Sequence, residues 1–248
     1  MNNKDSFNEI FGDKNRILVV LAHPDDAEIY CGATISKLTS LGKIVRVVKV
    51  TSGNRGNKQQ NISTKELEKI RLTEDKKAMK ILGIKDENNI YLNLIDGTVD
   101  NSLKTIEKIV YQIREFKPDI LITHNPEDIV IRYDKDVNWV NHRDHRNTGK
   151  SVIDAAYPYS RDTLFFPEQL KNPQLSSHSV SQFLLVDYYD HPDTINIDVT
   201  GFTEQRTKAI AAHLSQYSYD QAKESTNFFT RTRVKSRSLE RFRYVIAD

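Results

Sequence analysis

The chain of 248 residues has little of what several protein classes require. A single cysteine, Cys31, excludes an internal disulfide framework. No stretch approaches the roughly 20 consecutive apolar residues of a membrane-spanning helix. The first residues, MNNKDSFNEIFGDK, are polar and lack the apolar core of a secretory signal. Together these absences favour a cytoplasmic protein with no transmembrane segment.

Neither sign of charge predominates over the whole chain. The formal net charge is +2, which is too small to imply nucleic acid as a partner by itself. The basic residues that crowd the C-terminal end are Arg231, Arg233, Lys235, Arg237, Arg241 and Arg243. Because such runs usually form solvated faces, and no zinc finger or RNP-like aromatic pattern accompanies this one, nucleic-acid binding is disfavoured.

Glycine-rich phosphate-binding motifs are missing from the sequence as well. The nearest pattern is GNRG at 53–56, which meets neither the dinucleotide-binding pattern nor the P-loop pattern. The sequence therefore predicts that any α/β sheet in this protein lacks the usual nucleotide site.

Strands and helices alternate from about residue 16 to about residue 160, which indicates an α/β fold. We predict a Rossmann-like, mostly parallel sheet with helices on both faces, to which the C-terminal part adds strands and a helix. The strands that the apolar runs predict are 17–21, 44–51, 89–94, 119–124, 181–189 and 194–199. No linker or internal repeat interrupts the chain, so 1–248 is predicted as one domain, with an N-terminal extension at 1–15 and a basic segment at about 220–248.

The predicted helices carry start and stop signals. Ser63 or Thr64 caps a helix that runs to about Leu82 and stops at Gly83. Another begins at about His142, after a long polar loop, and a late helix covers 203–217.

Two polar clusters follow predicted strands. His23, Pro24, Asp25 and Asp26 come after the first strand, and the segment NHRDHRNTG at 141–149 follows the strand at 119–124 through the long loop. In open α/β sheets this edge is where ligands bind. Imidazole and carboxylate ligands with an open position are typical of catalytic zinc, so the sequence predicts a metal site.

The chemistry of these residue types suggests separate roles for them in a metal-dependent hydrolysis. Of Asp25 and Asp26, one can bind the metal while the other takes a proton from water, whose pKa a metal lowers towards about 7. Of His142 and His145, which share a helix face, one can bind the metal and the other can stabilise an oxyanion or protonate a leaving amine. Asp144 can orient an imidazole. Spacing alone leaves these assignments open, and it does not separate amide from phosphoester hydrolysis. In the alternative interpretation, Asp25 or Asp26 simply caps the following helix.

Several motifs together resemble the LmbE/PIG-L family of zinc-dependent N-acetylglucosamine deacetylases. The matching segments are AHPDDAE at 22–28, TSGNRG at 51–56, RLTEDKKAMKILG at 71–83, LIDG at 94–97, HRDHRNTG at 142–149 and AAHLSQ at 211–216. The resemblance covers about residues 17–216.

The resemblance implies roles for individual residues. As metal ligands it implies His23, Asp26 and His145, with Zn²⁺ as the metal and Fe²⁺ or Co²⁺ as alternatives. It implies Asp25 as general base and His142 as oxyanion stabiliser or general acid. Candidate substrate-binding residues are Arg71, Asp96 and Arg55. His213 is expected to be structural or to lie at the rim.

The resemblance does not name the substrate beyond an N-acetyl sugar or glycoconjugate. Arg143 stands where the family often has proline, and the loop at 125–141, with Tyr133 and Trp139, is a candidate lid or sugar platform. Two alternatives stay open: a different metal-dependent hydrolase on the same fold, and a non-enzymatic module that binds anions or nucleic acid through the basic segment. A homo-oligomer is also left open.

Overall fold

The computed structural model describes residues 4–57, 61–232 and 236–247. Within these ranges the strands are β1 (Arg16–Leu21), β2 (Ile44–Thr51), β3 (Asn89–Leu94), β4 (Ile120–Thr123), β5 (Val130–Arg132), β6 (Asn138–Val140), β7 (Gln182–Leu185), β8 (Thr194–Asp198) and β9 (Leu239–Ile246). The α-helices are α1 (Phe7–Phe11), α2 (Asp26–Ser40), α3 (Thr64–Ile81), α4 (Leu103–Phe116), α5 (Arg143–Asp154), α6 (Thr203–Ala211) and α7 (Tyr219–Thr230). None of the described helices is both long and apolar enough to cross a membrane.

In the described residues, seven strands form one sheet in the order β3-β2-β1-β4-β7-β9-β8. The first five are parallel, and β9 runs antiparallel to both of its neighbours. The predicted α/β fold, mostly parallel with additional C-terminal strands, is confirmed. Helices cover both faces of the sheet. Successive side chains of β1 point to opposite faces, so Ile17 and Val19 enter one apolar cluster and Leu18 and Val20 enter the other.

The predicted start of α3 is confirmed. Ser63 caps the helix and forms a capping box with Glu66, and the helix ends at Ile81, two residues before Gly83. The segment at 1–15, predicted as an N-terminal extension, contributes α1. The side chains of Phe7, Ile10 and Phe11 in α1 are buried in the main apolar cluster.

The prediction of one late helix over 203–217 was wrong. Helix α6 ends at Ala211, and α7 begins after Ser218, which forms a second capping box with Gln221. Between them the chain turns inward, because His213 Nε2 lies 2.8 Å from Glu28 Oε1 in the core. The Ser-x-x-Gln pattern at 218–221 is a sequence signal for the start of a separate helix.

The polar loop at 125–141 contains the antiparallel hairpin β5–β6. Tyr133 of this loop is buried in an aromatic cluster, and its hydroxyl donates to the Phe228 carbonyl at 2.5 Å. The Tyr133 side chain is therefore part of this buried cluster, and its ring is not available as an open sugar platform. Trp139 is partly exposed on the same cluster.

The basic C-terminal segment pairs with acidic residues. Arg231 lies 2.5 Å from Asp134, and Arg237 lies 2.7 Å from Asp198. Arg243 approaches Glu127 at 3.4 Å. Arg233 and Lys235 lie outside the described residues.

Candidate metal centre

The two polar clusters meet at the carboxyl end of the parallel strands. His23 to Asp26 follow β1, Asp96 follows β3 and His124 follows β4, while His142 to His145 form the start of α5. In a parallel sheet these strand ends lie at one edge, so residues about 120 positions apart in the sequence come into contact.

Three of these side chains form a compact triangle, in which Asp26 faces each histidine with a different carboxylate oxygen. His23 Nδ1 lies 3.2 Å from His145 Nε2 and 3.3 Å from Asp26 Oδ2. His145 Nε2 lies 3.3 Å from Asp26 Oδ1. Tetrahedral zinc with bonds of 2.0 to 2.1 Å separates its ligand atoms by about 3.3 Å. Donor type and spacing both fit a bound zinc or similar dication.

The neighbouring acids Asp25 and Asp26 point in different directions. Asp25 is the N-cap residue of α2 with φ 108°, and its side chain makes no capping hydrogen bond within the described residues. Asp26 instead accepts from the His23 backbone N–H at 2.7 Å, which turns its carboxylate into the triangle. The helix-cap interpretation of Asp25 therefore finds no support.

Two carboxylates hold the far side of the His23 ring. Its Nε2 lies 3.3 Å from Asp96 Oδ1 and 3.4 Å from Asp144 Oδ2. Asp144 is itself held by the Gly97 N–H at 2.6 Å. Burial opposes a charge on His23, but Asp26, Asp144 and Asp96 outweigh it and raise the pKa of His23 well above its usual value. Carboxylates on the outer nitrogen of a metal-binding histidine fix its ring and increase its basicity.

His124, which the sequence analysis did not single out, packs against the His145 side of the triangle. Its ring stacks on His145 with a centroid distance of 3.9 Å and an interplanar angle of 8°. Its Nε2 lies 3.1 Å from the Ala22 N–H and 3.2 Å from Asp26 Oδ2. Whether this nitrogen accepts from the amide or donates to the carboxylate, it keeps no lone pair for a metal. Its position at the end of a predicted strand was the available signal.

Asp25 lies beside the triangle and pairs with Arg71. Arg71 Nη2 is 3.0 Å from Asp25 Oδ2 and also donates to the Pro24 carbonyl. Burial raises the pKa of Asp25 to about 6, although the Arg71 charge opposes the shift. Arg71 is only 4% exposed, so the structure places this candidate substrate-binding residue against Asp25.

His142 is exposed at the N-cap of α5, and its ring centroid is 4.9 Å from that of His23. Its Nδ1 accepts from the Asp144 backbone N–H at 3.1 Å. A neutral imidazole that accepts through Nδ1 carries its proton on Nε2, so His142 presents a hydrogen-bond donor beside the triangle.

The other candidate substrate-binding residues occupy different positions. Asp96 is buried, and its Oδ2 accepts from the backbone N–H groups of Arg55 at 3.2 Å and Gly56 at 2.9 Å. The Arg55 side chain itself is exposed at the loop surface. Asp96 thus ties this loop to His23 and leaves the Arg55 side chain exposed.

Comparison with known proteins identifies the family. Residues 18–156 match the PIG-L family, described as GlcNAc-PI de-N-acetylase. The chain belongs to the PIG-L family. It is 29% identical over 218 residues to the diacetylchitobiose deacetylase of Thermococcus kodakarensis, covering 86% of this chain and 74% of that protein. The N,N'-diacetylchitobiose deacetylase structure from Pyrococcus horikoshii, in complex with its inhibitor MPG, superposes with a TM-score of 0.81 at 27% identity. That alignment covers 97% of this chain and 87% of the other.

The PIG-L fold also occurs in a protein that is named for a different reaction. The 4-carboxy-2-hydroxymuconate hydratase GalB from Pseudomonas putida has a TM-score of 0.71 at 15% identity, covering 94% of this chain and 97% of that chain. The fold by itself therefore does not select amide hydrolysis, and the reaction has to be argued from the side chains at the strand ends.

Proposed function

We propose that the protein is a metal-dependent deacetylase that hydrolyses the N-acetyl group of an N-acetylglucosamine-type sugar or glycoconjugate and releases acetate. The observation that carries the proposal is the ligand triangle of His23, Asp26 and His145 beside Asp25, a carboxylate used neither as a ligand in that triangle nor as a helix cap. PIG-L membership and the likeness to two sugar deacetylases give the substrate class.

Zinc is the proposed metal, with Fe²⁺ or Co²⁺ able to use the same nitrogen and oxygen donors. When bound, such an ion supplies a Lewis acid for the acetyl carbonyl and makes water acidic enough to lose a proton near neutral pH. Asp96 and Asp144 hold the His23 ring in place, and His124 packs under His145.

Asp25 takes the proton from the attacking water in this mechanism. Its raised pKa, about 6, keeps it a better base than an ordinary aspartate while leaving it ionised near neutral pH. As water adds to the carbonyl carbon, the Nε2–H of His142 donates to the developing oxyanion. The C–N bond then breaks, and the amine nitrogen receives the proton that water gave up. Arg55 is proposed to contact the sugar, whereas Arg71 and Asp96 act indirectly through Asp25 and His23.

The location proposed from the sequence is the cytoplasm, where the buried free thiol of Cys31 stays reduced. An oligomeric assembly is not needed to complete the metal triangle, since one chain supplies all of its side chains.

The test is acetate release from N-acetylglucosamine and N,N'-diacetylchitobiose by metal-loaded and chelated protein. We expect release that depends on the metal. Asp25→Asn should bind metal normally and lose about 10²- to 10⁴-fold in kcat, which is what a general base contributes. Asp13→Asn, at a side chain that is 76% exposed, is the matched control and should behave as wild type.

A different metal-dependent hydrolase is the competing function, because the donor set does not exclude phosphoesters. Hydrolysis of p-nitrophenyl phosphate without acetate release from either sugar would favour it and would overturn the deacetylase proposal.

A further inference from the structure

Helix α2 is broken close to the metal triangle. Cys31 has φ −146° and ψ 21°, which are not helical values, although it lies inside the helix. Before the break, the first turn of α2 carries Asp26, which faces both histidines of the triangle. After the break, Ala33 and Ile35 are buried in the main apolar cluster. The helix therefore divides into a short part at the site and a longer part in the core.

An ion pair from the C-terminal part of the chain lies at this break. Arg206 of α6 and Glu240 of β9 are fully buried, and Arg206 Nη1 donates to Glu240 Oε1 at 2.9 Å. Arg206 Nη2 donates to the Ile29 carbonyl. Glu240 accepts from the Ala33 N–H at 3.0 Å and from the Thr34 N–H at 2.7 Å. In a regular helix these N–H groups would donate to the carbonyls four residues earlier, so the Ala33 partner would be Ile29. The ion pair thus links the two sides of the break.

This insertion accounts for the bend in α2. Sharp bends occur where a side chain enters the ladder of helical hydrogen bonds. Gly32 leaves the space for it, because an added Cβ there would lie 3.3 Å from Arg206 Cγ. Since Arg206 holds the carbonyl before the break and Glu240 holds the N–H groups after it, the angle between the two parts of α2 is set by contacts with α6 and β9.

The direction of the first turn decides several contacts at the site. Tyr30 stands edge-on to His145 with ring centroids 5.9 Å apart, and Asp26 lies 3.3 Å from the His145 Nε2. Asp26 precedes Cys31 by about 7.5 Å along the helix axis, so a tilt of about 10° at the break moves it by about 1.3 Å. Ligand distances in a metal site vary by only about 0.2 Å. A small change at the break is therefore enough to take Asp26 out of reach of the ion.

We propose that Arg206 and Glu240 are positioning residues for the metal triangle, which they serve by fixing the break in α2 and thereby holding Asp26 at ligand distance. The inference rests on the metal site of the proposed function. Neither residue contacts the triangle; both act through the first turn of α2. The C-terminal helix α6 and strand β9 thus contribute to a site whose ligands all come from earlier in the chain.

The test replaces the ion pair as a unit. Arg206→Met combined with Glu240→Gln removes both charges at similar volume, which is often neutral for stability because no buried charge is left unpaired. We expect the affinity for Co²⁺, measured by competition with a chelator, to fall about 10-fold, the lower end of the effect of residues that orient metal ligands. The visible absorption spectrum of bound Co²⁺ should also change, because it reports on the ligand arrangement. Arg237→Met combined with Asp198→Asn is the matched control, since that pair, 2.7 Å apart, lies at the edge strand β8 and should leave both readouts as in wild type.

Wild-type Co²⁺ affinity and a wild-type spectrum in the folded double variant would overturn the proposal. Gly32→Ala covers the case in which the double variant does not fold, because it keeps both charges and has to move Arg206 by a few tenths of an ångström. It should weaken Co²⁺ binding by a smaller factor, and unchanged binding with an unchanged spectrum would then reject the proposal. Both readouts are independent of acetate release. If wild type binds Co²⁺ but releases no acetate from any sugar, the proposed function fails, and the same variants still decide on Arg206 and Glu240.

Discussion

Gly53 offers a way to disturb the contact between Arg71 and Asp25 without changing a catalytic residue. It follows β2 with φ +63°, and a Cβ at this position would lie 2.9 Å from Arg71 Nε and 3.1 Å from Pro24 Cδ. Both distances are shorter than ordinary van der Waals contact, which begins near 3.4 Å. Gly53→Ala therefore has to push Arg71 by about half an ångström. That movement lengthens the contact of Arg71 with Asp25, which is 3.0 Å in the native arrangement.

The expected cost has two separable parts. An L-residue in the left-handed region costs about 1–2 kcal/mol of folding stability. Displacing Arg71 loosens Asp25 and should lower kcat/KM by about 10- to 100-fold, or about 1.4–2.7 kcal/mol of transition-state stabilisation. Gly42→Ala is the matched control, because Gly42 has φ +78° and its added Cβ would meet nothing within 4 Å.

The assay combines thermal unfolding with acetate release at saturating metal. Both variants should lose similar stability, and only Gly53→Ala should lose activity. Equal kcat/KM values for the two variants would refute the claim that Arg71 holds Asp25 in its working orientation.

Two further predictions test the metal site and the buried charges. His145→Ala should weaken metal binding by more than about 100-fold, measured as metal retained after dialysis. The control is His178→Ala, because the His178 ring contacts the Pro118 carbonyl away from the site. Equal retention by the two variants would reject His145 as a ligand. For Asp75, burial opposes ionisation, but Lys49 at 3.0 Å and hydrogen bonds from Tyr91 and Asn89 outweigh it and lower the pKa. Ionised Asp75 thus stabilises the fold above about pH 4, its unfolded pKa, and this contribution is lost as the pH falls through the lower folded pKa. Asp75→Asn should therefore differ from wild type in urea denaturation near pH 6 and approach it near pH 3, whereas a constant difference would contradict the prediction.

Local sequence signals sufficed for the central sheet and for the residues that meet at its edge. Continuous apolar runs such as 17–21 predict strands buried on both faces, and parallel strands place their carboxyl ends together. Together with the long loop after the strand at 119–124, that rule allows His23 and His145 to meet at one edge of the sheet. It works because the position of a strand end follows from topology, which the alternation of strands and helices reveals.

The supports of the site were not predictable in the same way. The pairing of His213 with Glu28 joins residues 185 positions apart and depends on how α2 and α6 pack. The groups that Arg71 and Asp96 face were not predictable for the same reason, since a motif gives a residue's place in the chain but not its neighbours in the fold. The burial of both side chains decides that they contact Asp25 and His23.

The backbone at Asp25 argues that this residue is present for chemistry. A non-glycine residue at φ 108° costs about 1–3 kcal/mol, and Asp25 recovers none of it through a capping hydrogen bond within the described residues. Its buried carboxylate also has a raised pKa, so burial makes ionisation harder. Stability alone would favour glycine here, with its free backbone and no buried charge. The left-handed turn does achieve one thing: it separates two adjacent carboxylates, so that Asp26 enters the metal triangle and Asp25 stays beside it.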